Sequence, residues 1–292
     1  MATSWNALLG KGVFVRIVSG GKSDVGQQRE NNEDCFRIVE ALNLFVIADG
    51  MGGEAHGEIA SAMAVETVVK HCMGEENGAS LDVPDVNSGW SANTSLLFKA
   101  AHLANKKIYD SAEAHPEQQG MGATLTAAWI NEEKVSVVHV GDSRAYLLRS
   151  GTLQQLTSDH SLVAEQVRRG ILSGAEAEHS EMQSVLLRAL GTQPEIEVDA
   201  DEHTLFPRDV LLLCSDGLTR MVTEPEIAGT LQSELDPAKA AERLVALAND
   251  NGGADNVTVV VIRLESEEKS WFSWLRRGAR KNAGSNGSAG GL

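Results

Sequence analysis

"FVIADGMGG", Phe45–Gly53, runs apolar and then stops abruptly at an acid. Leu44 to Ala48 are all apolar, Asp49 follows, and Gly50, Met51, Gly52 and Gly53 come next. A short apolar run bounded by turn residues reads as a buried strand. Asp and Gly at its tip are ordinary turn residues. They are also what a metal or phosphate site uses, because a carboxylate supplies oxygen and glycine lets a ligand approach the backbone. A single copy of the pattern does not separate these readings.

The pattern recurs. "LLLCSDG" ends an apolar run at Asp216, with Gly217 next. "VVHVGDSR" places Asp142 after Gly141, "GGADNVTVVV" places Asp255 just before a strand, and "RENNEDCF" places Glu33 and Asp34 at the start of another. Acids gathered at one end of a sandwich repel one another, which raises their pKa values and destabilises the fold unless a cation sits among them. Oxygen-only ligands, with no Cys or His cluster at zinc spacing, point to hard ions: Mg, Mn or Ca. Two such ions sharing a carboxylate can activate water against a phosphate ester.

The rest of the chain supplies the frame. "GVFVRIV" (12–18), the two halves of "DCFRIVEALNLFVIADG", "GATLTAAWI", "KVSVVHVG", "RAYLLR", "EIEVDADEHTLF", "DVLLLC" and "NVTVVVIRL" read as strands. "GEIASAMAVETVVKH", "SLLFKAAHLANKKIYDSA", "PEIAGTLQ" and "PAKAAERLVALAND" read as helices, the last opened by a first-turn proline. Residues 160–190 are mixed and read as an irregular helical flap. Antiparallel runs with helices inserted in pairs predict an α+β layered fold.

The chain has 292 residues, 42% of them hydrophobic, enough for one sizeable core. Its formal net charge of −16 argues against non-specific nucleic-acid binding, which needs Lys and Arg to replace counterions. Three scattered cysteines without a CxxC predict no disulfide framework and a reducing, cytoplasmic setting. No basic n-region with a long apolar core opens the chain, and no stretch reaches the length of a membrane span. Composition shifts at Glu265, so residues 1–264 are expected to form the domain and 265–292 a flexible tail.

The set "SDVGQQRENNEDCF", "FVIADGMGG", "GMGATLTAAWI", "VVHVGDSRAYLL", "LTSDHSL", "LLLCSDGLT" and "DNVTVVVI" resembles the metal-dependent protein serine/threonine phosphatases of type 2C (PPM) in their compact bacterial form. The motifs run in family order over roughly residues 15–263. The resemblance implies a four-layer α-β-β-α sandwich, with two central antiparallel sheets flanked by helix pairs and two Mn or Mg ions at one end. It implies that Asp49 bridges the ions and that Gly50 offers its carbonyl. Asp216 and Asp255 would be the other ligands of the first ion, Glu33 a ligand of the second, and Asp34 a supporting acid. Asp142 with Asp216 would hold a weaker third ion. Arg29, four residues before Glu33, matches the phosphate-binding arginine, whose planar fork suits phosphate oxygens. The implied reaction is direct hydrolysis of phosphoserine or phosphothreonine by metal-activated water, reversing Ser/Thr kinase signalling. Phosphorylated proteins and a partner kinase are the implied partners, and the enzyme is expected to be a monomer. Many eukaryotic relatives carry a general-acid histidine where this chain has Met51; His139 and His160 are the nearest sequence candidates for that role.

Other readings compete. Cys214 and Arg220 have the spacing of cysteine-dependent phosphatases, in which a thiolate attacks phosphorus. A catalytically inactive, phosphatase-like regulatory binding module is another, and a metal-dependent phosphodiesterase acting on small nucleotides a third. The cluster "WFSWLRRGARK", 271–281, has the aromatic and basic make-up of a weak membrane or partner contact.

Overall fold

The computed structural model describes residues 5–8, 13–52, 56–75, 87–177, 180 and 182–267. The chain opens with strands β1 (Trp5–Leu8), β2 (Val13–Asp24), β3 (Asp34–Val39) and β4 (Leu44–Met51), followed by helices α1 (Gly57–Cys72) and α2 (Ala92–Ala114). Strands β5 (Gly122–Ala123), β6 (Leu125–Asn131), β7 (Lys134–Val140), β8 (Arg144–Arg149) and β9 (Thr152–Gln155) come next. The flap region carries short helices α3 (Leu162–Arg168) and α4 (Gly174–Ala177). Strands β10 (Asp199–Thr204) and β11 (Val210–Cys214), helices α5 (Asp216–Thr219), α6 (Glu224–Ser233) and α7 (Pro237–Asp250), and strand β12 (Val257–Glu267) complete the described chain.

The strands form two antiparallel sheets, ordered β1-β2-β12-β11-β8-β9 and β10-β7-β6-β4-β3, with β5 added against β4. Side chains alternate between the two faces of a strand. On β4, Leu44, Val46 and Ala48 pack toward Ala60, Ala64, Val68 and Leu97 of α1 and α2. Phe45 and Ile47 point the other way, into a core between the sheets with Leu211, Leu213, Val260 and Ile262. On the second sheet Leu212, Cys214, Val259 and Val261 face Leu231, Leu244 and Val245 of α6 and α7. The result is the expected α-β-β-α sandwich, with three apolar seams holding four layers.

The helices start where the chain offers caps. Asp236 accepts the N–H groups of Ala238 and Lys239 ahead of Pro237, and Thr223 with Glu226 forms a capping box on α6. α1 carries Ala60, Ala64, Val68 and Cys72 at i,i+4 spacing, a narrow stripe of small residues that lets it press closely on β4.

Three strands end elsewhere than the sequence predicts. β2 continues through Ser19-Gly20-Gly21 to Asp24, beyond the expected end at Val18. The glycines do not break it. A Cβ on Gly20 would collide with the backbone of Ala238 on α7, and one on Gly21 would stand 2.6 Å from the Phe36 ring. The expected strand over 195–206 shortens to Asp199–Thr204, where it pairs with β7. β12 runs to Glu267, past the composition change at Glu265. The aromatic and basic cluster at 271–281 lies outside the described residues.

Candidate active site

Alternation on the strands decides where the acids go. Asp49 follows Phe45 and Ile47 on the inter-sheet face of β4, and Asp34 precedes Phe36 and Ile38 on the same face of β3. The two are register partners across the β3–β4 ladder. Both therefore stand at the open end of the seam between the sheets. From the opposite sheet, β11 ends at Cys214 and turns at Ser215 into α5, which begins with Asp216. The carboxyl of Asp216 comes within hydrogen-bonding reach of Asp49. Asp142, in the β7–β8 turn, and Asp255, just before β12, act electrostatically on Asp49 from their own sides.

The backbone around Asp49 is fixed from three directions. Its N–H donates to Thr124 Oγ1 at 2.9 Å, and its carbonyl accepts from the Thr124 N–H at 2.8 Å. Gly50 donates to the Glu33 carbonyl at 3.1 Å. A Cβ on Gly50 would run into the Gly57 carbonyl at the start of α1. Glycine is required there because three backbone segments meet.

Glu33 is held by a residue the sequence reading passed over. Asn256 Oδ1 accepts the Glu33 N–H at 2.7 Å, while its Nδ2 donates to the carbonyls of Val25 and Asn31 at 2.9 and 2.8 Å. One amide thus ties the Arg29–Glu33 loop to the Asp255 strand. Its position next to Asp255 in "DNV" was the available signal. Ser215 is a second such residue: its Oγ donates to Asp34 Oδ2 at 2.8 Å and accepts from the Thr258 N–H at 2.9 Å.

The acids carry the electrostatic mark of crowding. Burial holds the Asp49 carboxyl well above the ordinary carboxylate range, and Asp34, Asp216, Asp142 and Asp255 push it further. Burial, with Asp216 adding to it, raises Asp142 to about 7. Burial raises Asp34 to about 7 as well, with Asp216 and Asp255 contributing. Asp216 and Glu33 are raised by the same first cause. Asp34 Oδ1 and Asp216 Oδ1 are buried and meet no donor at all. A buried acceptor left without a partner costs roughly 1–3 kcal/mol.

Two arginines reach into the cluster. Arg29, with its side chain 53% exposed, places Nη2 3.0 Å from Asp255 Oδ2. Arg220 pairs with Asp216 and lies 3.5 Å from Asp255 and 3.9 Å from Asp142. Among the described residues, no three His, Cys, Asp or Glu side chains are closed tightly enough to grip a cation as they stand. Arg220 stands between the acids that would have to close. The donor set nonetheless fits hard divalent cations: it is all oxygen, its members are buried or half-buried, and two of its oxygens have no donor.

The other candidates separate cleanly. Cys214 is fully buried among the β-sheet and helix side chains on the α7 side, and burial pushes its thiol up to about 12. A thiol held so high forms no thiolate nucleophile, and Arg220 is turned to the acids, so the cysteine-dependent reading fails. His139 bonds through Nδ1 to Thr126 Oγ1 at 3.0 Å, and burial lowers it to about 4. His160 accepts the Gly141 N–H at 3.1 Å and meets Asp199 at 3.2 Å. His160 braces the turn that carries Asp142, and His139 is tied to Thr126 with its ring against that of His160, so the general-acid role weighed for them has no geometric support. Met51 lies with its methyl against Gly122.

A groove of about 890 Å³ opens beside Asp142, Asp216 and Arg220. Val163, Ala164 and Val167 of α3 line it on the flap side, and Met221, Val222 and Pro225 line it on the α5–α6 side.

Comparison with known proteins gives this arrangement relatives. The family model for protein phosphatase 2C matches residues 21–270. The chain is 38% identical over 251 residues to the serine/threonine phosphatase stp of Listeria welshimeri, covering 85% of this chain and 96% of that one. It is 38% identical over 240 residues to the serine/threonine protein phosphatase PstP of Mycobacterium tuberculosis, covering 82% of this chain and 43% of that longer protein. The crystal structure of the PstP catalytic domain in complex with two manganese ions superposes at a TM-score of 0.73 and 36% identity, spanning 87% of this chain and 99% of that one. The serine/threonine phosphatase Stp1 of Staphylococcus aureus gives a TM-score of 0.73 at 29% identity, spanning 91% of this chain and 98% of that one. Acids delivered to one end of a two-sheet seam, and matches of this extent, have one common explanation: the chain belongs to the protein phosphatase 2C family.

Proposed function

We propose that this chain hydrolyses phosphoserine and phosphothreonine in proteins, reversing the work of a Ser/Thr kinase, and that it depends on manganese or magnesium. The observation that carries the reading is the convergence of Asp34, Asp49, Asp142, Asp216 and Asp255 at one end of the seam, with buried oxygens lacking donors. Asp49, the Gly50 carbonyl, Asp216 and Asp255 would hold one ion, and Asp49 with Glu33 a second, with Asp34 in support. Asp142 with Asp216 would hold a weaker third. When bound, divalent cations supply Lewis acidity and lower the pKa of water to near neutrality.

The chain's own residues do the rest. Arg29 sits at the rim with a planar fork of donors, suited to two phosphate oxygens at once and to the charge that develops on them. The Asp49 backbone is fixed by Thr124 and the β3–β4 ladder, which limits how far its carboxylate has to move to bind an ion. The groove between α3 and the α5–α6 connection gives the substrate chain a path past Asp142 and Asp216. With both histidines held in structural contacts, the leaving alkoxide takes its proton from water in that groove. The flap at 160–190 shapes which chains enter. The intact acid set argues against a silent binding module. Three free cysteines agree with a cytoplasmic setting, and among the described residues no helix is long and apolar enough to cross a membrane.

Phosphate release from a phosphothreonine peptide tests this. With added manganese the protein turns over, and a chelator stops it. Iodoacetamide leaves the rate unchanged, because Cys214 is buried and its thiol protonated. No phosphate release with manganese, or loss of activity on alkylation, would count against the reading.

A further inference from the structure

The chemistry above gives Arg220 no task, yet its guanidinium lies in the middle of the acids. Its side chain is 25% exposed, and it follows Asp216 by four residues, so one turn of α5 brings the two together. Nη2 pairs with Asp216 Oδ2 and stands 3.9 Å from Asp142 Oδ2. Nη1 stands 3.5 Å from Asp255 Oδ2, the same oxygen that Arg29 reaches at 3.0 Å. One monovalent cation therefore touches three of the carboxylates read as metal ligands.

We propose that Arg220 is a positioning residue that serves as a resident counter-cation: it holds Asp142, Asp216 and Asp255 together before divalent ions load, and it must withdraw for them to bind. It thereby sets the metal concentration at which the enzyme switches on. The inference rests on the reading of these acids as metal ligands.

Three features support it. Buried carboxylates facing one another are stable only with positive charge among them, and Arg220 supplies it without any ion. The substitute is incomplete, since Asp34 Oδ1 and Asp216 Oδ1 still meet no donor. A divalent cation reached by several oxygens can satisfy what a planar fork cannot. There is also somewhere for the side chain to go: Arg220, Met221 and Val222 line the 890 Å³ groove, which opens to solvent. Competition is then ordinary linkage, in which whatever stabilises the metal-free cluster weakens apparent metal affinity. The position between Asp142 and Asp216 is the most affected, because the guanidinium spans it.

Manganese titration by calorimetry, paired with thermal melts in chelator and in saturating manganese, tests the proposal on the wild type, Arg220→Ala, Arg220→Gln and Arg220→Lys. The Ala and Gln variants are expected to bind manganese about tenfold more tightly, the ion pairs being partly exposed. They should melt below wild type in chelator, with the gap closing or reversing in manganese. Arg220→Lys keeps the charge without the fork and should fall between; it also reads the effect if the neutral variants do not fold. A merely structural arginine would lower the midpoint in both conditions and leave manganese affinity unmoved, which would overturn the proposal alone. Manganese bound by none of the proteins, wild type included, would overturn it together with the reading it rests on.

Discussion

Asp49→Asn and Asp216→Asn each abolish phosphatase turnover, and Asp49→Asn also raises the thermal midpoint of the metal-free protein. The first effect follows from losing a ligand at the point where the proposed ions meet. Metal-centred charge stabilisation is worth several kcal/mol, which is about a thousandfold or more in rate at ~1.4 kcal/mol per factor of ten. The second follows from the cluster itself. Asp49 is half-buried at the end of the seam, desolvation raises its carboxyl, and four other aspartates act on it. Asparagine keeps the shape and removes the charge, so it relieves both the burial cost and the repulsion. Activity and stability thus move in opposite directions, which a variant that simply misfolded would not do. Melts in chelator and phosphopeptide assays in manganese read the two effects. Near-normal turnover in either variant, or a lower metal-free midpoint for Asp49→Asn, would count against the site.

The metal-free protein also loses stability as pH rises from mildly acidic to mildly basic. Asp34 and Asp142 lie at about 7 in the fold against an ordinary 3.8, and Asp49 and Asp216 are raised in the same direction. The folded state therefore binds more protons than the unfolded one between these values, and stability falls as pH rises through that window. His139 works against this: lowered from 6.5 to about 4 by burial, it favours folding as pH rises through its own range. Above that range the aspartates act unopposed, so the fall is steepest near neutrality. At the acid end Glu202, bonded by Thr94 and lowered to about 2, contributes stability that is lost as pH drops through its own window. For an isolated group a shift of this size is ~4 kcal/mol, and sharing of protons among neighbours makes the cluster's total less than the sum. Saturating manganese should flatten or invert the trend, since it binds the ionised carboxylates. A midpoint that climbs steadily with pH in chelator would contradict the electrostatic account.

Much of this was legible in the sequence because period-2 alternation carries two messages at once. Phe45 and Ile47 mark the inter-sheet face, and that same spacing sends Asp49 to its open end. The recurrence of Asp at the tips of apolar runs was therefore information about one place in space. What the sequence hid was relational. Gly20 and Gly21 looked like the end of a strand, and only the approach of Ala238 and Phe36 explains them. Asn256 looked like one polar residue beside an acid, although it anchors the loop carrying Glu33. Arg220 drew notice for its distance from Cys214, when its partner was Asp216 on the same helical turn. The histidines at 139 and 160 show the converse: residue types suited to proton transfer, spent on holding Thr126 and the Asp142 turn.

The most direct test of the central claim is anomalous diffraction at the manganese edge from crystals of the full chain grown with the ion. The account predicts two strong peaks at the end of the inter-sheet seam, with Asp49 between them, Asp216 and Asp255 on one, and Arg220 moved out of the cluster. Peaks elsewhere on the surface, or no peak while Asp49, Asp216 and Asp255 keep their present arrangement around Arg220, would contradict it.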